Sequence, residues 1–308
     1  MNTSPAKIIL FGEHAVVYGY PAIAVPFTSV STTVTASAGE PGSGVLIRAH
    51  DMGQEYRVVR DNETFGGPLA FAVQVLLAEL KASLPDLIFD IHSTIPVGGG
   101  FGSGAAVTAA LMRELAAALG YPIDAARLNA LVYEVEKLFH GNPSGIDNTT
   151  IVYERPVYFV RGQPPQPFQI GARFQLIIAD SGIAGSTMQT IEDVRRFREA
   201  NPVAAGPLFE RIGMLVDAAR SHIEAGTPEL LGGLMTENHG LLRALTVSSA
   251  LLDRLVTVAL QAGALGAKLS GGGRGGNVIA LASADDLLNV TAALRGAGAV
   301  HTWVTTVQ

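Results

Sequence analysis

The chain has 308 residues, 48% hydrophobic and 16% charged: enough apolar material for one large domain or two ordinary ones, and too much for a disordered protein. Its formal net charge of −6, with no basic run, zinc-finger spacing or aromatic-rich basic stripe, argues against a nucleic-acid partner. Cysteine is absent, which excludes disulfides, cysteine-held metals and a thiol nucleophile; with no signal-like start and no apolar stretch of membrane length, the expectation is a soluble cytoplasmic protein without a membrane partner.

The first third reads as short β-branched strands at Ile8–Phe11, Ala22–Pro26, Ser29–Ala36, Gly44–Arg48, Tyr56–Val59 and Leu87–His92. Helical spacing over Phe71–Ala82 interrupts them. A glycine cluster, Gly98-Gly99-Gly100-Phe101-Gly102-Ser103-Gly104, then opens onto an Ala/Leu helix from about Gly104 to Leu119, closed by Gly120. Asp124 is placed to cap a helix whose Leu128, Leu131, Val132, Val135, Leu138 and Phe139 share one face. That helix stops at Gly141-Asn142-Pro143, and strands are expected at Thr149–Tyr153 and Val157–Val160. Four prolines between Pro156 and Pro167 mark the best internal boundary. Beyond it come a strand at Phe174–Ala179 and helices near Met188–Glu199, Gly206–Ala225, Pro228–Leu245 and Ser249–Gln261. A second glycine cluster, Gly271-Gly272-Gly273-Arg274-Gly275-Gly276, precedes a strand at Asn277–Leu281, a helix at Ala284–Gly296 and a closing strand at Val300–Val307. Strands first and mixed elements afterwards predict two α+β lobes rather than a doubly wound sheet.

The glycine clusters are the strongest chemical signal. A loop that hugs phosphates needs residues without Cβ, so that backbone N–H groups can approach, and a helix starting immediately afterwards adds its own unpaired N–H groups and positive dipole end. The first cluster fits that description. It is not a Walker A loop, because no Gly-Lys dipeptide occurs in the chain, and protein-kinase signatures such as His-Arg-Asp are missing too. The second cluster contains a literal G-x-G-x-x-G from Gly271 to Gly276, but a strand follows it where a dinucleotide fingerprint requires a helix. The plainer reading of either cluster is a tight loop between packed elements.

Phosphoryl transfer to an alcohol needs phosphate cradling, a carboxylate for Mg²⁺, a cation near the transferring group and a carboxylate beside the nucleophilic hydroxyl. Lys7, just ahead of the first apolar strand, is either that cation or a surface lysine. Glu13 and His14, wedged between apolar residues, must face a partner or solvent, since burying them unpaired is costly. Glu134 and Glu136 flank opposite edges of one apolar helix face, so periodicity does not choose between them. Asp147 follows a Pro143-Ser144-Gly145 turn and is either a functional carboxylate or a chain cap.

Taken in order, these pieces resemble a known family. Pro5 through Gly19, with Gly12-Glu13-His14-Ala15-Val16-Val17-Tyr18-Gly19, closely resembles the first motif of mevalonate kinases, a branch of the GHMP kinases. Pro96–Ala106 resembles the second, phosphate-binding motif, Lys268–Gly276 the third, and His140–Asn148 the segment carrying the catalytic aspartate. The resemblance covers essentially the whole chain. It implies the two-lobed α+β GHMP-kinase fold, with an N-terminal ATP-binding domain over 1–171 holding the Gly-rich phosphate loop. A ferredoxin-like α/β C-terminal domain would span 172–299, and the last strand, about 300–308, would return to the N-terminal domain.

The same resemblance implies roles. Asp147 would act as base on, or orient, the C5 hydroxyl of mevalonate, while Lys7 activates that hydroxyl and neutralises charge on the γ-phosphoryl. Glu136, at the family's spacing of eleven residues before the aspartate, would hold Mg²⁺ together with Ser103. Glu13, His14 and Thr187 would line the mevalonate side; Pro96, Gly98, Gly99, Gly100, Gly102, Ser103, Gly104 and Ala105 would bind ATP. ATP and mevalonate are the implied partners, Mg²⁺ the cofactor, and a homodimer is admitted. Two departures stand out: Gly104 replaces the second serine of the family's Ser-Ser, and Arg274 stands where glycine is usual, to contact phosphate or to point into solvent. A sister kinase acting on phosphomevalonate, another mevalonate hydroxyl or a sugar is the alternative, and a catalytically silent ligand sensor on the same fold is a further one.

Overall fold

The computed structural model describes residues 1–59, 67–96, 98–140, 143–185 and 187–308, excepting the side chains of Phe139, His140, Thr187 and Met188. The expected turn at Gly141-Asn142 therefore lies outside the described residues, as does the Thr187 side chain. In chain order the elements are β1 (Asn2–Phe11), β2 (Ala22–Ala38), β3 (Val45–Ala49), β4 (Gln54–Val58), α1 (Gly67–Leu80), β5 (Leu87–Ser93), α2 (Ser103–Ala118), α3 (Ala125–His140) and α4 (Ile146–Tyr153). They continue with β6 (Val157–Phe159), β7 (Gln166–Pro167), β8 (Phe174–Asp180), α5 (Thr187–Ala200), α6 (Pro202–Ala225), α7 (Leu231–Ala244), α8 (Ala250–Gln261), β9 (Gly266–Ser270), β10 (Asn277–Ala282), α9 (Leu287–Gly296) and β11 (His301–Val307).

Contacts group the chain into two compact units that interleave in sequence: Met1–Lys7, Val30–Pro96 and Phe101–Glu154 form the first, and Ile8–Ser29, Val97–Gly100 and Arg155–Gln308 the second. The expected boundary at 171 falls inside the second of these, because β6 pairs with the start of β2, Ala22 opposite Phe159.

In the first unit the sheet order is β4-β3-β5-β2, with β3 parallel to β5 and the other neighbours antiparallel. α2 packs on α1, α3 and α4. Its buried Leu111, Met112 and Leu115, with Val132 and Val135 of α3 and Leu76 of α1, make a core by simple burial of apolar helix faces. Asp124 caps α3 as its position implies, its Oδ1 accepting from Arg127 N at 2.8 Å.

In the second unit an antiparallel sheet runs β11-β8-β10-β9, with α7, α8 and α9 packed on it. β9 and β10 are buried along their whole length, so they carry no polar alternation. The closing strand is an edge of this sheet. β11 pairs with β8 in register from His301 opposite Asp180 to Val307 opposite Phe174, an antiparallel ladder that satisfies its backbone there.

Two local readings are corrected. Thr149–Tyr153, expected as a strand from its β-branched residues, is helical within α4. Thr150 Oγ1 donates back to Ile146 O at 2.9 Å, Ile151 and Val152 are buried, and Asn148 docks on α3, so packing overrides β propensity. The two strands expected around Pro26 are one, β2, since proline removes an N–H without forbidding extended φ.

Candidate active site

Within the first unit three of the expected residues come together. Lys7 lies inside β1 rather than ahead of it, and its backbone N donates to Phe101 O at 3.0 Å. Its side chain is only 5% exposed and reaches Asp147, with Nζ 3.0 Å from Oδ1, so it is no surface lysine. Asp147, 30% exposed, stands in the first turn of α4. That helix is anchored where Asn148 Nδ2 donates to Asn129 Oδ1 of α3 at 2.6 Å. Glu136 is the inward member of the pair that periodicity left open: it is buried, while Glu134 is exposed and accepts from Lys137 Nζ at 2.7 Å. Burial first, and then the negative charge of Asp147, push the Glu136 carboxyl up to about 8, with Lys7 opposing.

That electrostatic setting suits a divalent cation. The Asp147 and Glu136 carboxylates act on one another beside one ammonium, so added positive charge would stabilise the ionised form of Glu136. Among the described residues no group of three or more His, Cys, Asp or Glu side chains could hold a metal by itself. The arrangement suits Mg²⁺, which keeps waters and phosphate oxygens and takes one or two carboxylates from the protein.

The first glycine cluster explains how Lys7 keeps its place. Gly102 adopts φ +75° just before α2, and a Cβ there would lie 2.8 Å from Ile151 Cδ1 and 3.3 Å from Lys7 Cε and Cγ. Glycine is required both for the left-handed backbone and for the lysine's passage. Gly102→Ala is expected to destabilise the fold by about 1–2 kcal/mol and to cut kcat about tenfold or more by displacing Lys7; unfolding curves and steady-state rates on the same preparation check both. Ser103, Gly104 and Ala105 form the first turn of α2, where backbone N–H groups have no acceptor within the helix. Pro96 belongs to this unit, whereas Gly98, Gly99 and Gly100 group with the second. There Asn277 Nδ2 of β10 donates to Gly99 O at 2.5 Å.

In the second unit the partners that Glu13 and His14 require are present. Lys268 Nζ of β9 donates to Glu13 Oε1 and, at 2.7 Å, to Leu269 O; Asn238 Nδ2 of α7 donates to Glu13 Oε2 at 3.3 Å. Lys268 and Glu13 are both buried, and burial pushes the Lys268 ammonium down, with Glu13 opposing. Both Glu13 oxygens thus have protein partners, which makes it a holder of the turn.

His14 has φ 60°, an uncommon value for a non-glycine residue, and its Nε2–H donates to Gly272 O at 3.0 Å. Burial first, with the charges of Arg274 and Lys268 reinforcing it against the Gly272 hydrogen bond, lowers its imidazole to about 4. At neutral pH His14 is therefore uncharged, donating from Nε2 and offering Nδ1 as an acceptor. The expected Thr187 opens α5, its backbone alone being described.

Arg274 does not point into solvent: it ion-pairs with Asp193 of α5 and donates from Nε to Thr246 O at 3.3 Å. Lys268, Asn238, Asn277 and Asp193 were not singled out by sequence reasoning. A lysine in the apolar Gly266–Ser270 segment was the available signal, because such a charge needs a buried partner.

Beneath this group His239 of α7 donates from Nε2 to Asp253 Oδ1 at 3.1 Å and accepts at Nδ1 from Leu269 N at 3.4 Å. Burial lowers it to about 4 although Asp253 opposes. Its unfolded value is higher, at 6.5, so the neutral form stabilises the fold fully above pH 6.5 and progressively less as pH falls toward 4. Relative to His239→Gln, the wild type is expected to lose about 2 kcal/mol of stability between pH 7.5 and pH 5, read from urea midpoints.

Comparison with known proteins agrees with the geometry. The family described as GHMP kinases N terminal domain matches residues 69–155, and GHMP kinases C terminal matches residues 204–300. The mevalonate kinase of Pyrococcus horikoshii is 37% identical over 301 residues, covering 92% of this chain and 88% of that protein. The mevalonate kinase of Thermococcus gammatolerans is also 37% identical, covering 92% and 89%. Among solved structures, L. major mevalonate kinase in complex with R-mevalonate superposes with TM-score 0.84 at 31% identity, over 100% of this chain and 95% of that one. Methanococcus jannaschii mevalonate kinase gives TM-score 0.86 at 25% identity, over 99% and 96%. By motif order, fold and these identities, the chain belongs to the mevalonate kinase family of the GHMP kinases.

Proposed function

We propose that this protein transfers the γ-phosphoryl of ATP to the C5 hydroxyl of mevalonate, giving 5-phosphomevalonate and ADP for isoprenoid precursor synthesis. The Lys7–Asp147 contact of 3.0 Å, beside buried Glu136, carries the reading. Asp147 accepts the hydroxyl proton as the oxygen attacks the γ-phosphorus, and the bridging oxygen leaves with ADP. Lys7 stabilises the alkoxide character of the nucleophile and the charge on the transferring group. Glu136 and Ser103 would hold Mg²⁺, which would supply charge neutralisation to the phosphates. Ser103 takes the part that the family gives to a serine at the position of Gly104. Backbone N–H groups at the start of α2 bind phosphate oxygens.

On the acceptor side, His14 Nδ1 accepts from a mevalonate hydroxyl and Thr187 at the start of α5 adds a further contact. Glu13 acts through Lys268 by fixing the turn that carries His14. A phosphorylated acceptor would call for unengaged cations near α5. Arg195 is taken by Glu192 and Glu199, Arg196 by Glu192, and Arg198 lies over the Tyr18 ring, which favours mevalonate over phosphomevalonate as the acceptor. A cytoplasmic location, without nucleic-acid or membrane partners, belongs to the same proposal.

The test is ADP release with Mg-ATP and mevalonate, phosphomevalonate, galactose or homoserine offered separately. Turnover with mevalonate alone is expected. Turnover only with another acceptor would transfer the reading to a sister kinase, and ATP binding without any turnover would favour a sensor.

A further inference from the structure

The second glycine cluster holds one side chain, that of Arg274, in a backbone conformation that disfavours it. Arg274 has φ 57°, where glycine would be unstrained. Such strain persists only where surrounding contacts over-determine it, and here they do. Arg274 N donates to Val247 O at 2.8 Å, Nε reaches Thr246 O, and Nη1 pairs with Asp193, in the second turn of α5. Its competitor for Asp193, Arg196, is at 4.0 Å.

The backbone just upstream of α5 lies directly against the same cluster. A Cβ on Gly185 would come within 2.6 Å of Gly273 O, and one on Gly275 within 2.4 Å of Ile183 O. Gly276 N donates to Ile183 O at 2.8 Å, and Ser181 N to Gly276 O at 2.9 Å. The cluster also holds His14, through Gly272 O at 3.0 Å. One loop thus joins the two elements assigned to the acceptor side, His14 and the start of α5. The side chain of Arg274 reaches the body of that helix at Asp193.

We propose that Arg274 is a positioning residue, which through Asp193 locks α5 to the second glycine cluster and so sets the affinity for the acceptor alcohol. The inference rests on the acceptor reading given above.

The experiment compares wild type, Arg274→Gly, Asp193→Asn and the double variant. Glycine suits the backbone at φ 57°, so Arg274→Gly keeps the fold. The mevalonate KM is expected to rise about fivefold in each single variant and no further in the double, with the ATP KM and kcat within about twofold. Hydrogen exchange of the amides over residues 187–200 is expected to speed up in every variant while the rest of the chain is unchanged. A rise in the ATP KM with an unchanged mevalonate KM would overturn the proposal in favour of a phosphate contact. Unchanged KM values together with unchanged exchange would overturn it in favour of a solvated ion pair. Should the wild type fail to turn over mevalonate, the acceptor reading fails, and exchange across α5 still decides whether the lock exists.

Discussion

Replacing Asp147 by asparagine is expected to lower kcat with mevalonate and ATP by about a thousandfold, with both KM values within about threefold. Asparagine matches aspartate in size and can still accept from Lys7 Nζ through its amide oxygen, so the 3.0 Å contact and the docking of α4 on α3 survive. What disappears is the group able to take the hydroxyl proton. Because Lys7 and the helix start remain, ATP binding is retained, and the loss is confined to the chemical step. A variant that kept a tenth or more of wild-type kcat would show that Asp147 only orients the acceptor, and proton transfer would then need another base.

The second large effect lies away from the chemistry. Lys268→Met is expected to destabilise the protein by about 3–5 kcal/mol, because it strands the buried carboxylate of Glu13 with Asn238 as its remaining partner. Glu13→Gln should cost less. Burial already pushes Lys268 toward its neutral form, so losing the carboxylate lets the amine shed its proton rather than stay charged and unpaired. The double variant should recover much of the Lys268→Met loss, since the Gln–Met combination buries no charge. Urea unfolding of the four proteins gives the cycle. A Lys268→Met cost below about 1 kcal/mol would mean that water reaches Glu13 and that the pair does not hold the turn.

How much of this was legible in the sequence follows from how local each cause is. The two glycine clusters, the Ala/Leu helix opening at Ser103, the cap at Asp124 and the amphipathic α3 are short-range effects of missing Cβ atoms, capping and a helical period, and they appear where expected. The choice of Glu136 over Glu134 needed the family spacing, because both lie at edges of the same face and only tertiary packing buries one of them. Thr149–Tyr153 misled because β-branched residues favour strands until a helix buries them against two others. The partners of Glu13 and Arg274 are 255 and 81 residues away, and no local pattern encodes such pairings. The ladder of the closing strand with β8 joins segments distant in sequence, so it is visible only in three dimensions.

The most direct test of the central claim is to follow the acceptor atom itself. Mevalonate labelled with ¹³C at C5 is incubated with Mg-ATP and the wild-type protein, and the product is read by ¹³C and ³¹P NMR. With wild type the C5 resonance is expected to become split by coupling to phosphorus as ADP accumulates, and Asp147→Asn is expected to give no such signal on the same timescale. A phosphorus bound elsewhere on the molecule, or ADP formed while C5 stays unsplit, would contradict it.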